Sequence, residues 1–359
     1  MDLEILGWDS RLSDAFEEYK RDDHVPLRVT RDNRNKYSAI GETGEYSCEV
    51  SGRFRHGAEE KSGYPVVGDW VVVTIRPDEK KGTIHAILPR KNRFSRKVAG
   101  GVTEEQVVAA NIDTVFIVTG LDENYNLRRI ERYLSVAWDS GITPVILLNK
   151  SDICPEYDER VDEVESIAIG TDVLAVSALE STGIDILAEY IRKGRTVAFL
   201  GSSGVGKSTI INSLLGAEYM KVNEVNEVGS RGRHTTTHRE LIVLPDGGMV
   251  IDTPGMRELQ VWGEEEGLKQ VFDDIERLAE SCQFRDCRHE SEPGCAVREA
   301  LETNELPAER FESYLKLKKE YEYLANRQTM KPSAIEKSKW KDIKIFARHL
   351  KKQNPDKNR

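Results

Sequence analysis

The chain has 359 residues, of which 38% are hydrophobic and 32% are charged, and its formal net charge is −10. This composition is typical of a globular protein of two or three domains, and no apolar run approaches the roughly 20 residues of a membrane span, which excludes a membrane protein. The odd number of cysteines, five, favours a reducing compartment with one metal site over a disulfide framework, and the acidic N-terminus lacks a signal-peptide pattern, so we expect a cytoplasmic protein.

Residues 1–24 form an N-terminal extension without an assigned role, and residues 25–97 contain short strand-like runs separated by Asn, Gly, Lys and Asp. The runs are PLRVT, KYSAIG, YSCEVSG, DWVVVTI and GTIHAIL. Several short strands at this spacing predict a small β-barrel. Five basic residues between Arg90 and Lys97 end the segment. Such a local basic stretch can attract nucleic-acid phosphates even in an acidic chain.

Strand-like and helix-like runs alternate in the next part of the chain, which predicts a parallel sheet with crossover helices. The predicted helices cover residues 127–141, 158–170 and 184–194. The resulting division is a linker at 98–110, an α/β domain at 111–266, a mostly helical domain at 267–350 and a disordered tail at 351–359.

A glycine-rich stretch in the α/β domain, GSSGVGKS at 201–208, matches the phosphate-loop pattern G-x-x-x-x-G-K-[S/T]. A strand-like run enters it and a helix-like run leaves it, so backbone N–H groups and a helix N-terminus face the phosphates. Lys207 would contact the β- and γ-phosphates and Ser208 would hold Mg²⁺. The candidate phosphate-binding residues are Gly201, Ser202, Ser203, Gly204, Val205, Gly206, Lys207, Ser208 and Thr209.

Two further elements follow the phosphate loop. Asp252, in D-T-P-G after an apolar strand, can hold Mg²⁺ through water, and Gly255 can donate its N–H to a γ-phosphate. Before it, threonines 235–237 lie in a polar, glycine-flanked stretch that could become ordered by GTP. One of them would bind Mg²⁺; Thr236 is our candidate, although the residues do not decide among the three.

The sequence N-K-S-D at 149–152 follows a strand-like run and matches the N-K-x-D pattern that reads guanine. The candidate base-binding residues here are Asn149, Lys150 and Asp152. The Asp152 carboxylate can accept from guanine N1–H and N2–H₂, a donor pair that adenine lacks, and a site built this way discriminates strongly. Ser177 and Ala178 follow another strand, where a backbone N–H can support guanine O6.

These motifs stand in an unusual order. An ordinary GTPase runs phosphate loop, threonine switch, D-x-x-G, N-K-x-D and S-A-x, whereas this chain begins with the last two. The order is one cyclic rotation, which chance would not preserve. We therefore interpret the domain as a circularly permuted P-loop GTPase, an arrangement that neighbouring chain termini permit.

A cysteine cluster interrupts the helical domain with the spacing C-x₄-C-x-H-x₅-C. Three thiolates and one imidazole are a standard tetrahedral zinc set, and four protein ligands leave no open position. We therefore expect one structural Zn²⁺. The candidate ligands are Cys282, Cys287, His289 and Cys295.

With these motifs in this order, the sequence resembles the RsgA family of ribosome small subunit-dependent GTPases over about residues 25–345. The resemblance implies an OB-fold for the barrel, a GTPase centre and a zinc domain. It also implies a monomeric GTP hydrolase, using Mg²⁺ with GTP, that acts late in maturation of the small (30S) ribosomal subunit. Low intrinsic activity would be stimulated by the subunit, and the nucleotide state would control rRNA binding and release.

Some positions leave alternatives open. Met256 stands where many GTPases have the Gln that orients water, and the family pattern points to His234 as a catalytic candidate, with His238 as a rival. Gly204 stands where potassium-activated GTPases often have Asn. Two other functions remain: a GTP-stabilised RNA-binding scaffold, or a GTPase that acts on another RNA such as tRNA.

Overall fold

The computed structural model describes residues 2–33, 36–57, 61–97, 105–216, 239–252 and 265–329. Within these ranges the chain forms a closed barrel, a mostly parallel sheet flanked by helices, and a helical region with a cysteine cluster. The predicted fold class is therefore confirmed. None of the helices in these ranges is long and apolar enough to cross a membrane.

The N-terminal barrel contains five strands that close on themselves. They are β1 (His24–Asn33), β2 (Lys36–Gly41), β3 (Gly44–Val50), β4 (Trp70–Arg76) and β5 (Lys81–Ile87). Their order is β1-β2-β3-β5-β4, and β1 also pairs with β4. Alternating side chains fill the interior, as Tyr46, Cys48 and Val50 do from β3. This Greek-key closure of five strands is that of the OB-fold.

A two-stranded ribbon follows the barrel, built from β6 (Arg93–Lys97) and β7 (Glu105–Ala110). Strand β7 belongs to the segment 98–110, for which we expected only a linker, and that expectation is wrong for its second half. The reason is a run of small apolar side chains that are all buried, and Ala109 pairs with Val67 beside the barrel. Such a run favours a packed strand over a solvated connection.

Six further strands form the sheet of the α/β domain. They are β8 (Thr114–Gly120), β9 (Thr143–Asn149), β10 (Asp172–Val176), β11 (Thr196–Leu200), β12 (Glu240–Val243) and β13 (Met249–Asp252). Their order is β10-β9-β8-β11-β13-β12, and all are parallel except β12. Every residue of β8 and β11 is buried, as expected of parallel strands covered on both faces. Strand β12 also pairs with barrel strand β1 through Arg31 and Glu240.

Nine helices lie in the described ranges, together with several short 3₁₀ turns. They are α1 (Ser10–Glu17), α2 (Gly52–Gly57), α3 (Leu127–Asp139), α4 (Tyr157–Ile167), α5 (Lys207–Leu215), α6 (Glu266–Val271), α7 (Asp273–Glu280), α8 (Ala296–Glu302) and α9 (Ala308–Thr329). Helices α3, α4 and α5 belong to the α/β domain, and the last four form the helical region.

The predicted helix at 184–194 is wrong, because only Asp185–Glu189 form a single 3₁₀ turn. Left-handed glycines, Gly183 and Gly194, bound the segment on both sides. The N–H of Gly194 donates to Gly247 O at 3.0 Å, and not to the carbonyl one helical turn earlier in the sequence as in a helix. This tertiary bond to the β12–β13 turn competes with helix formation in a segment too short to form a stable helix alone.

The helical region is anchored to α3 by a buried ionic network. Glu131 is fully buried and accepts from Arg310 Nη1 at 2.9 Å and from Ser313 Oγ at 2.6 Å. Helix α6 crosses so close that a Cβ on Gly267 would lie 2.1 Å from Ser135 O. Helices α3, α6 and α9 are therefore joined by buried, closely packed contacts.

Arg28 of β1 joins the N-terminal extension, the barrel and the α/β sheet. It is 2% exposed, and burial lowers its pKa to about 10, a shift that the charges of Asp113 and Asp69 partly oppose. Its guanidinium donates to five groups from separate parts of the chain: Leu6 O, Gly68 O (3.3 Å), Asn111 O (3.0 Å), Thr196 Oγ1 (2.9 Å) and Met249 Sδ (3.3 Å).

Replacing Arg28 with methionine is expected to destabilise the protein by about 3 kcal/mol or more, because several buried acceptors lose their donor at roughly 1–3 kcal/mol each. The measurement is urea unfolding followed by circular dichroism. Arg21→Met, at an exposed position, is the control and should unfold like the wild type. An unchanged unfolding midpoint for Arg28→Met would show that these bonds contribute little.

Candidate functional site

The glycine-rich segment forms a tight loop between β11 and α5. Gly201 has φ 150° and Gly206 has φ 97°, and α5 begins directly after Gly206. A Cβ on Gly201 would lie 2.3 Å from Val118 O, and one on Gly206 would lie 2.1 Å from Asn149 Nδ2. Both positions therefore require glycine for conformation and for space.

Lys207 lies in the first turn of α5 and its side chain turns back over the loop. Its Nζ donates to Gly201 O at 2.7 Å and to Ser202 O at 2.6 Å. Ser203 and Gly204 are exposed at the loop tip, and Ser208 and Thr209 are half-buried in the same turn as the lysine. A lysine ammonium beside a helix N-terminus creates an anion-binding site of the kind that phosphates occupy.

Asn149 connects three of the predicted motifs. It is 2% exposed, and its Nδ2 donates to Val205 O in the phosphate loop at 2.8 Å. Its Oδ1 accepts from Ala178 N, in the S-A-L turn, at 3.0 Å. Parallel strands β9, β10 and β11 end at the same edge of the sheet, which is where ligands bind in such sheets. N-K-S-D, S-A-L and the phosphate loop therefore lie next to one another at one edge of the sheet.

The rest of the base-reading sequence is also held in place. Lys150, in the left-handed region with φ 69°, donates from Nζ to Asp122 Oδ2 at 2.6 Å. Burial raises the pKa of Asp122, but the hydrogen bond from Lys150 helps to hold that pKa below its ordinary value. Asp152 is exposed, and its Oδ1 accepts from Ser177 Oγ at 2.5 Å. This bond fixes the carboxylate of Asp152 beside the S-A-L turn.

Sequence reasoning did not identify Asp122, which follows β8 in GLDEN. Its signal resembles that of Asn149, since polar residues at or just beyond the carboxyl end of a buried parallel strand lie at the ligand edge of the sheet. Asp252 is half-buried at the end of β13, next to β11. The threonines 235–237, including Thr236, the histidines 234 and 238, and residues Gly255 and Met256 lie outside the described residues.

Replacing Asn149 with alanine should weaken GTP binding by about 10- to 100-fold, because two hydrogen bonds that align the loops are lost, at about 1 kcal/mol or more each. Titration with a fluorescent GTP analogue measures this affinity. Asn33→Ala, at the exposed end of β1, should bind like the wild type. Equal affinity in both variants would mean that the loops are aligned without Asn149.

The cysteine cluster brings four ligand atoms together, all within 4.8 Å of one another. Cys282 Sγ lies 3.7 Å from His289 Nδ1 and 3.9 Å from Cys295 Sγ, and His289 Nδ1 lies 3.4 Å from Cys295 Sγ. A tetrahedron with bond lengths of about 2.3 Å to sulfur and 2.0 Å to nitrogen has edges of roughly 3.5–3.8 Å. The four predicted ligands, including Cys287, can therefore bind a metal ion.

The loop that carries these ligands is stabilised by its own hydrogen bonds. Gln283 N donates to Gly294 O at 3.0 Å, which closes the loop between α7 and α8. The Glu292 carboxylate accepts from the backbone N–H groups of Arg288, Glu290 and Ser291, and these bonds lower the pKa of Glu292 to about 2. Glu292, which sequence reasoning did not single out, thus orders the turn that contains the histidine.

Three cations of the basic stretch at 90–97 form ion pairs within the protein. Arg90 pairs with Asp69 at 2.8 Å, Lys91 with Asp113 at 2.9 Å, and Arg93 with Glu105 at 2.8 Å. Arg90 also donates to two backbone carbonyls and is mostly buried. Arg90, Lys91 and Arg93 therefore stabilise the junction of barrel and ribbon, and carboxylates neutralise their charge.

Comparison with known proteins identifies relatives that span nearly the whole chain. The family model for the RsgA GTPase matches residues 87–262. A small ribosomal subunit biogenesis GTPase RsgA from Opitutus terrae is 44% identical over 352 residues, which cover 96% of each chain. The protein of the same name from Syntrophotalea carbinolica is 43% identical and covers 99% of this chain and 100% of its own.

Two solved structures resemble this fold. The crystal structure of YjeQ from Thermotoga maritima has a TM-score of 0.61 and 31% identity, and the match covers 83% of this chain and 98% of that one. YloQ, described as a circularly permuted GTPase, has a TM-score of 0.58 and 27% identity, covering 87% of this chain and 97% of its own. The permuted motif order is thus shared with a known protein of the same architecture.

Proposed function

Because this chain belongs to the RsgA GTPase family, we propose that it hydrolyses GTP in the maturation of the small ribosomal subunit. The observation that carries the proposal is a pair of hydrogen bonds: Asn149 Nδ2 donates to Val205 O, and Asn149 Oδ1 accepts from Ala178 N. These bonds join the base-reading and phosphate-binding motifs into one pocket although the chain presents them in rotated order. The names of the relatives supply the biological setting.

In this pocket each residue has a distinct task. Lys207 and the N–H groups around Gly206 bind the phosphates, and Ser208 supplies a hydroxyl ligand for Mg²⁺, which when bound neutralises phosphate charge. Asp152, aimed by Ser177, accepts from the guanine N1–H and N2–H₂. Asn149 holds the turn whose N–H groups face guanine O6. Adenine would leave the Asp152 carboxylate without donors, which is why GTP is preferred.

The switch residues complete the proposal. Asp252 at the end of β13 would help to hold Mg²⁺, Gly255 would donate to the γ-phosphate, and Thr236 or a neighbouring threonine would add a metal ligand only with GTP bound. His234 is our candidate for orienting the attacking water in place of the glutamine that Met256 replaces. Without that glutamine the intrinsic rate should be low, and an external group can contribute about 10³–10⁵-fold.

We extend the proposal to the metal and the partner. The ion in the Cys₃His cluster is a structural Zn²⁺, because four protein ligands leave no open position. The partner is the small subunit with its rRNA, bound by a monomer in the cytoplasm. The end of β13 is followed by the helical region, so a change at Gly255 can be passed to α6, α3 and the zinc domain.

Steady-state GTP turnover tests this function. We expect turnover to rise on adding small ribosomal subunits and not on adding large subunits or tRNA. Stimulation by tRNA instead would assign the enzyme to another RNA. Equal subunit affinity with GDP and with a non-hydrolysable GTP analogue would remove the coupling and leave a GTP-stabilised scaffold.

A further inference from the structure

Helix α2 carries a basic face on the outside of the barrel. The helix lies in the connection between β3 and β4, in the sequence SGRFRHG. Arg53, Arg55 and His56 are all exposed, whereas Phe54 is half-buried and packs against the barrel core, with its ring 6.1 Å from that of Tyr64. At 100° per residue, the three basic side chains therefore lie on the side opposite Phe54.

The position of this face is well defined. Ser51 starts the helix, since its Oγ accepts from Phe54 N at 3.1 Å and its O accepts from Arg55 N at 3.0 Å. The N–H of Ser51 is bonded to Ile84 O of β5 at 2.9 Å. The helix is thus fixed to the barrel at its first turn and through Phe54, so its arginines are presented from a rigid support.

The charges on this face have no counter-ion in the described part of the protein. Neither Arg53 nor Arg55 has an ion pair or side-chain hydrogen bond there, and residues 51–57 contain no acidic side chain. Arg90, Lys91 and Arg93 of the 90–97 stretch, by contrast, each pair with a carboxylate. In a chain of net charge −10, an unpaired cationic face of this kind is available to an external anion.

We propose that the basic face of α2 binds the phosphodiester backbone of ribosomal RNA. The inference rests on the proposed function, because that function supplies the RNA, but the site is separate from the nucleotide pocket. Guanidinium groups bind phosphates with two parallel hydrogen bonds and are weakly hydrated, which suits them to this role. OB-folds commonly bind nucleic acid through the face of strands 2–3 and adjoining loops, so α2 adds a contact outside that face.

The double variant Arg53→Ala/Arg55→Ala tests the site. We expect its affinity for small subunits, measured by filter binding with a non-hydrolysable GTP analogue, to fall about tenfold near physiological salt. The slope of log affinity against log salt should become shallower by roughly 1.4–1.8, since each of the two lost phosphate contacts removes about 0.7–0.9. Arg53→Lys/Arg55→Lys should retain most of the slope because the charges remain.

The control is Arg192→Ala/Lys269→Ala, which removes the same charge at two exposed positions outside the barrel. It should leave the salt slope unchanged, and GTP affinity and thermal unfolding should be the same in all variants. An α2 double variant that binds like the wild type, with the same slope, would overturn the proposal. So would a defect that appears with whole subunits but not with protein-free rRNA, because the partner would then be an acidic protein.

If the proposed function were wrong, the experiments would give a different result from a failure of the α2 site alone. In that case the wild-type protein would show no preference for small subunits and no stimulated turnover. The comparison on protein-free rRNA would still decide whether α2 binds phosphates, because it does not depend on subunit maturation.

Discussion

Replacement of Lys207 by alanine is expected to lower subunit-stimulated GTP turnover by about 10²–10³-fold or more, the loss that follows removal of one positioned charge-stabilising group. Its ammonium lies over the loop on the carbonyls of Gly201 and Ser202, where it would meet the charge that develops on the transferred phosphoryl group. Phosphate release in the presence of small subunits measures the effect.

The interpretation depends on an intact fold. Lys207 is half-buried and its Nζ donates to two carbonyls of the loop itself. We expect the variant to unfold at the same temperature as the wild type. Lys269→Ala, an exposed lysine on α6, is the matched control and should keep full activity. Turnover within threefold of the wild type in Lys207→Ala would show that phosphate transfer occurs elsewhere.

Replacement of Cys295 by serine should abolish retention of one Zn²⁺ per chain and destabilise the helical region. Cys295 is 6% exposed and directly precedes α8, so the ligand and the start of that helix are lost together. Structural zinc contributes about 10–16 kcal/mol in isolated zinc-finger peptides, and several kcal/mol of that should appear here as lost stability. Metal analysis after dialysis and thermal unfolding by circular dichroism are the measurements.

Cys154→Ser is the control, because Cys154 is half-buried and lies outside the ligand cluster. It should retain zinc and unfold like the wild type. Zinc content equal to that of the wild type in Cys295→Ser would exclude this residue as a ligand. A different metal in the purified wild-type protein would contradict the zinc assignment while leaving the four-ligand site intact.

Much of the fold could be predicted because the local patterns are strong. Strand β2 has the predicted bounds, since alternation between two turn sequences leaves little choice. The prediction of a helix at 184–194 was wrong because the apolar spacing of this segment also fits a 3₁₀ turn. The hydrogen bond that decides between the two, from Gly194 N to Gly247 O, joins residues far apart in sequence. The strand at 105–110 was missed although its run of small apolar residues favours a strand, because its pairing with β6 is seen only in the structure.

The candidate site was predictable as motifs but not as contacts. The pattern N-K-S-D names Asn149, yet its double role between Val205 and Ala178 appears only when three strands are adjacent. Counts of basic residues along the sequence were also misleading about which cations are unpaired. The basic stretch around Lys91 was prominent in the sequence, but Asp113, which pairs with Lys91, is 22 positions away. Helix α2 was not predicted as a basic site, because its two arginines are a small part of all the basic residues in the chain.

The position of β11 between β8 and β13 has a consequence for synthesis. Strands β8, β9 and β10 leave the translating ribosome before β11, so the growing polypeptide can assemble a three-stranded piece whose β8 edge lacks its neighbour. Such an unpaired apolar edge is prone to association with other chains. The nascent protein therefore acquires its nucleotide-binding ability only after β11 inserts, and a chain halted before Thr196 would hold the base-reading half of the pocket with no loop for phosphate.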